Sequence, residues 1–172
     1  KVAQMIIAIG HPQSMQALKA MRIGGIHLYA RQTESVFNNT IIDFQYNQTI
    51  PFFVTADFEG CVTPFGYVFN STAASDVNTL GEAFQKGFRD GEFMKKLGFN
   101  LNFAPVVDLD DTIWKCRTFP GDEKNIAEFA QAYILGLQDQ GIIATAKHYP
   151  GKTLVVQDPH KFIVEAQINP ED

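Results

Sequence analysis

The chain lacks the features that mark several specialised classes. It has no run of Lys or Arg, and 14 basic side chains face 19 acidic ones for a formal charge of −5. Phosphate backbones are bound by basic surfaces, so nucleic acid is excluded as a partner. No apolar stretch approaches the roughly 20 residues a membrane-spanning helix needs, which excludes a span. No Gly-rich loop follows the first predicted strand. His11-Pro12-Gln13 stands there instead, which argues against a nucleotide-binding sheet. There is no internal repeat and no low-complexity segment. The first residue is Lys1, without an initiator Met or a signal peptide, so a processed chain or one cut from something longer is expected.

Cysteine is scarce as well. Cys61 and Cys116 are far apart and form no Cys-x-x-Cys pair, and the preferred reading is two free thiols. Each follows a predicted strand, one just after Asp57 and the other just before Arg117, so a disulfide between neighbouring loops is the alternative. Three sequons, at Asn38, Asn47 and Asn70, lie in polar stretches and lean toward a secreted or extracellular protein.

What is present describes an ordinary soluble globular protein, 45% hydrophobic and 19% charged. The 172 residues suffice for one domain with a proper core, taken here as residues 1–172. A complete eight-stranded barrel typically needs about 250 residues. Apolar runs ending in polar or Gly/Pro signals predict strands at Met5–Ile9, Ile26–Ala30, Phe52–Ala56, Phe99–Val107 and Gly141–Ala146. Between them, stripes at helical spacing predict four helices. Met15, Leu18 and Met21 form the first, with Ser14 as a candidate cap, and Val36, Phe37, Ile41 and Phe44 the second. The third runs from Leu80 to Leu97 and the fourth from Ile126 to Leu137, capped by Asp122 or Asn125. Gly87 and Gly91 weaken the third helix intrinsically and so mark close packing.

Strict β-α alternation implies parallel strands with helices outside. Periodicity alone leaves a partial barrel and an open doubly wound sheet both available. In either, strand C-termini share one face, so residues at several exits converge on one pocket. Asp57, Asp108, Lys147 and His148 sit at such exits. The densest stretch is Lys147-His148-Tyr149-Pro150-Gly151 through Asp158-Pro159-His160, which gathers two of the four histidines, a lysine and a carboxylate just after the last strand.

Those residues also carry a resemblance. Lys-His-aromatic-Pro-Gly followed by Asp-x-His resembles the N-terminal barrel of glycoside hydrolase family 3, in its β-N-acetylhexosaminidase branch. Gly24-Gly25-Ile26-His27-Leu28-Tyr29, Asp57-Phe58-Glu59-Gly60, Leu97 to Asp108 and Arg117-Thr118-Phe119 match in the same order, so the resemblance covers nearly the whole chain. It implies a TIM-barrel type α/β fold, partial here, with about five of eight strands. It implies a carbohydrate substrate, hydrolysis of terminal β-linked sugars such as N-acetylglucosaminides, and no cofactor. Asp57, Arg117, Lys147 and His148 would hold sugar hydroxyls, a carboxylate accepting from adjacent hydroxyls while cationic groups donate. His160 would be the general acid/base, partnered by Asp158, in place of the usual carboxylic acid. Glu59 would support its loop, and His11 and His27 are read as structural.

Three departures bear on this. Lys152-Thr153 replaces the expected His-Gly, Pro159 stiffens the turn between Asp158 and His160, and no arginine follows Asp57-Phe58-Glu59-Gly60. The retaining nucleophile has no counterpart in these residues, so catalysis needs a missing C-terminal half or a partner. The competing reading is a truncated, non-catalytic relative that binds sugar or self-associates through an open barrel edge. Lys147 as a Schiff-base nucleophile fits the neighbouring residues less well. A metal site from Asp57, His148, Asp158 and His160 matches no ligand spacing, and no metal is expected.

Overall fold

A computed structural model describes residues 2–29, 33–61, 63, 66, 69–109, 111, 113–149, 151, 157, 158 and 161–164. Among these residues five strands, β1 (Ile7–Ile9), β2 (Gly25–His27), β3 (Phe53–Ala56), β4 (Leu101–Asn102) and β5 (Ile143–Ala144), alternate with four helices. These are α1 (Met15–Met21), α2 (Glu34–Gln45), α3 (Leu80–Leu97) and α4 (Glu123–Asp139). The strands lie in the order β1-β2-β3-β4-β5, every neighbouring pair parallel. Each new strand is added on the same side. A doubly wound sheet reverses direction at a switch point, so this order settles the choice that periodicity left open in favour of a partial barrel.

The registers define two faces. Ile9, His27, Thr55, Leu101 and Ile143 stand opposite one another across the five strands and share the face turned from the helices. The alternate residues, Ala8, Ile26, Val54, Ala56 and Ala144, turn toward the helices. There they meet Phe37, Ile41 and Phe44 of α2, Met94 and Leu97 of α3, and Ile126, Tyr133 and Leu137 of α4. Fully burying one such side chain is worth about 1.5–3 kcal/mol, so this layer carries most of the fold's favourable energy.

Local chemistry fixes the helix ends. Thr79 and Glu82 form a capping box on α3, Asp122 and Asn125 form another on α4, and Thr33 caps α2. Ser14 does not cap α1. Its hydroxyl donates to the His11 carbonyl, and the Pro12–Ser14 turn is capped by the His11 side chain. Val36 and Leu80, counted in the apolar stripes, are exposed. The fourth strand is shorter than expected, because Pro105 has no N–H for the ladder; beyond it Val106 bridges both Thr118 and Lys147.

Glycines at α3 and α4 let the two helices touch along their backbones. A Cβ on Gly87 would lie 2.1 Å from the Tyr133 carbonyl oxygen, and one on Gly136 would lie 2.2 Å from that of Phe84. The third helix also buries Lys86 and Asp90, which an apolar stripe cannot reveal.

Candidate active site

The period-two alternation that directs Thr55 to the inner face also directs Asp57 and Glu59 there and turns Phe58 into the core, where it is fully buried. On β4 and β5 the same rule brings Phe103, Thr145 and Lys147 inward. With Trp114, Arg117, His148, Asp158 and Lys161 they line an open cleft of about 590 Å³ at the strands' C-terminal ends. That is the size of a small-molecule pocket and the face where parallel barrels keep their sites.

The charged groups alternate in sign. Lys147 Nζ donates to Asp57 Oδ1 at 2.7 Å and pairs with Glu59 Oε1. Arg117 Nη1 reaches both Glu59 oxygens at 3.2 Å, and its Nε donates to Asp111 Oδ2 at 2.9 Å. Arg117 Nη2 stands 2.8 Å from that same Asp111 oxygen, yet it is buried without a hydrogen bond. Burial opposes the Arg117 charge, but Glu59 and Asp111 outweigh it and raise its pKa further. Asp111 is pushed up by burial and pulled down more strongly by the Trp114 N–H, by Arg117 and by the Ile113 N–H, to about 2. Asp57 keeps 42% of its side-chain surface exposed and is the carboxylate a ligand can reach.

His148 belongs to a second pair. Its Nδ1 lies 2.5 Å from Asp108 Oδ2, and Asp108 is buried. With that carboxylate as acceptor Nδ1 carries the proton, which leaves Nε2 for a ligand. The Lys147–His148 peptide is cis.

All four sugar-binding candidates, Asp57, Arg117, Lys147 and His148, therefore line one cleft, and so does Asp158. Arg117 touches Glu59 and Asp111 rather than Asp57. The acid/base candidate His160 lies outside the described residues. Glu59, assigned only a supporting part, is the hub between Lys147 and Arg117. His27, read as structural, has Nε2 3.5 Å from Asp57 Oδ2 and stacks on Phe103 with ring centroids 5.6 Å apart. Burial lowers its pKa, Asp57 pulls the other way and Lys147 adds to the lowering, so the ring is neutral near pH 7. The sequence places His27 near the start of the Ile26–Ala30 strand, and only the observed end of β2 at His27 puts it at an exit beside Asp57. Asp111 and Trp114 carried no sequence signal, being loop residues between elements.

The two thiols are not free. Cys61 and Cys116 form a disulfide with a Cα–Cα distance of 5.9 Å, because the β3 exit loop and the turn carrying Arg117 are drawn together by the Glu59–Arg117 pair. Among the described residues, no group of three or more His, Cys, Asp or Glu side chains is arranged to hold a metal ion. No helix among them is long and apolar enough to cross a membrane.

The family model described as the glycosyl hydrolase family 3 N terminal domain matches residues 1–172. The chain belongs to this family. It is 30% identical to a beta-hexosaminidase of Bordetella avium over 168 residues, 88% of this chain and 48% of that protein. It is 27% identical to a beta-N-acetylglucosaminidase/beta-glucosidase of Cellulomonas fimi, over 93% of this chain and 30% of that one. This family 3 chain thus spans less than half the length of these curated relatives. Among solved structures it is similar to NagZ from Neisseria gonorrhoeae in complex with N-trifluoroacetyl-D-glucosamine. The TM-score there is 0.79 at 25% identity, over 90% of this chain and 52% of that one. A family 3 beta-N-acetylglucosaminidase from Paenibacillus sp. superposes with a TM-score of 0.80 over 92% of this chain and 34% of that one, and at 23% identity it shows the shared fold.

Proposed function

We propose that this family 3 domain binds the terminal sugar of a β-linked N-acetylglucosaminide in the cleft and contributes to its retaining hydrolysis. The observation that carries the reading is the placement of Lys147 between the carboxylates of Asp57 and Glu59, with Arg117 bracing Glu59 from the far side. An exposed carboxylate beside a fixed ammonium offers adjacent hydroxyls an acceptor and a donor at once. His148 Nε2, left without a proton by the Nδ1–Asp108 bond, supplies a further acceptor, and Arg117 lines the cleft behind Glu59.

His160 acts as general acid and then base in this proposal, and Asp158 orients it and favours its protonated form. The nucleophile comes from outside the 172 residues. The competing reading is sugar binding without turnover, which the paired Asp57, Glu59 and Lys147 side chains support as they stand.

Two measurements separate these readings. One is binding of N-acetylglucosamine, followed by NMR, to the wild type and to Asp57→Asn. The other is nitrophenol release from an aryl β-N-acetylglucosaminide by the wild type and His160→Ala. Removing the charged acceptor should weaken binding by about tenfold or more, in line with the 1.5–3 kcal/mol of a charge-assisted hydrogen bond. Release that disappears in His160→Ala supports the full reading, and binding without release supports the competing one. No binding by folded wild-type protein rejects both.

A further inference from the structure

Beneath the cleft, on the helix side of the sheet, lies a chain of buried polar groups that no sugar can touch. Asp90 of α3 accepts from Lys86 Nζ at 2.6 Å and from Ser71 Oγ at 2.6 Å, and Lys86 also donates to Ser71 Oγ at 2.9 Å. Tyr133 of α4 donates to Asp90 Oδ2 at 3.2 Å, and Asn102 Nδ2 stands 3.2 Å from the Tyr133 hydroxyl. The chain ends on backbone. Asn102 Nδ2 donates to the Phe58 carbonyl at 3.0 Å, while Asn102 Oδ1 accepts from the Phe58 N–H at 3.0 Å.

That end point gives the chain a function. The β3–β4 ladder is in register up to Ala56 opposite Asn102, with the Phe103 N–H bonded to the Ala56 carbonyl. Phe58 lies one step past it. There the Asn102 side-chain amide does what a neighbouring strand would do, holding both backbone polar groups of Phe58, the residue between Asp57 and Glu59. Gly60 follows with φ 105°, and a Cβ there would lie 2.5 Å from the Thr72 carbonyl oxygen and 3.2 Å from Lys86 Nζ, so the loop rests on the buried chain.

A buried ion pair and a buried amide are costly to desolvate, and an apolar filling is often as stable or more so. What they supply is direction. We propose that Asn102, braced through Tyr133 by the Lys86–Asp90–Ser71 cluster, is a positioning residue that fixes Asp57 and Glu59 at the spacing at which one lysine serves both. The sheet brings the two carboxylates to the cleft, and the buried chain sets how they share Lys147. This rests on the sugar-binding reading above for its functional consequence, though not for the clamp itself.

The experiment compares wild type with Asn102→Leu, which keeps the side-chain volume and removes the amide. Asn102→Asp, which keeps the acceptor for Phe58 N–H, serves if the leucine variant does not fold. Ile126→Ala, in the core away from the cleft, controls for lost stability. Amide hydrogen exchange is read at Phe58 and at Leu28, whose N–H is held by the Thr55 carbonyl in the ladder. N-acetylglucosamine binding is read by NMR titration. In Asn102→Leu the Phe58 amide should exchange about tenfold faster or more relative to Leu28, with sugar affinity down by about tenfold. Ile126→Ala should accelerate both amides together and leave affinity unchanged. Equal acceleration at Phe58 and Leu28 in the Asn102 variant, or unchanged affinity, overturns the proposal. If no protein binds the sugar, the binding reading fails, and the exchange ratio alone decides whether Asn102 holds the segment.

Discussion

Asp111 shows how a residue without a sequence signal can govern one that has it. Its carboxylate takes the N–H groups of Ile113 and Trp114 and the Nε of Arg117, so it ties the loop to the guanidinium that faces the cleft. Its pKa is held at about 2 in the folded chain against 3.8 for an unperturbed group. A lowered folded pKa gives stability that is present above about pH 4 and lost as pH falls toward 2. The contribution is on the order of 2 kcal/mol. Asp111→Asn should be less stable than wild type by about that much in urea unfolding at pH 6, and the gap should narrow steadily as pH falls from about 4 toward 2. A gap independent of pH would show that the carboxylate charge does not hold this loop. At this scale the sequence was readable where a residue sits at a strand exit, as with Asp57, Lys147 and His148. Glu59 was underrated because its partner, Arg117, is 58 residues away. The disulfide stayed ambiguous for the same reason, since only the folded loops bring Cys61 to Cys116.

At the scale of elements, apolar spacing located all four helices, and the helical glycines marked the α3–α4 contact. Spacing could not show that Lys86 and Asp90 turn inward, because a hydrophobic stripe counts only apolar residues while a paired charge is buried at the same helical positions. Two glycines of α3 test the packing with opposite signs. At Gly87, alanine gains about 1 kcal/mol of helix propensity but drives its methyl to 2.1 Å from the Tyr133 carbonyl, and that atom is fixed in α4. Gly87→Ala should destabilise by about 2–4 kcal/mol, as overpacked or shifted backbone does. At Gly81, in the first turn of the same helix, the nearest atom to an added Cβ is Thr79 Oγ1 at 4.0 Å. There the propensity gain stands nearly alone, and Gly81→Ala should stabilise by up to about 1 kcal/mol. Both follow from urea midpoints, and a neutral Gly87→Ala would mean that the two helices are free to separate.

Among the described residues the sheet has one face covered by helices and the other largely open. Among the described residues β1 pairs only with β2 and β5 only with β4, so two strand edges are unpaired. On the inner face Ile9, Phe53 and Ile143 are 58%, 45% and 47% exposed, although the same face buries Thr55 and Leu101 in its middle. Such a row is the layer that fills the interior of a closed barrel. The β-α order announced a parallel sheet, but the openness of this face depends on how many strands surround it, which no stretch of sequence states. Apolar rows beside free strand edges are covered by association when nothing else covers them. The 172-residue chain alone should therefore self-associate, its sedimentation coefficient rising from micromolar toward millimolar concentration. Ile143→Lys puts a charge on the β5 edge at the open end of the row, away from Asp57 and Lys147, and should move that rise to a concentration at least about tenfold higher. Leu135→Lys, exposed on the outer face of α4, should leave it in place. A wild-type chain that stays monomeric throughout would mean that residues beyond the described ones already cover the row. A shift produced equally by both lysines would place the association on general charge rather than on the inner face.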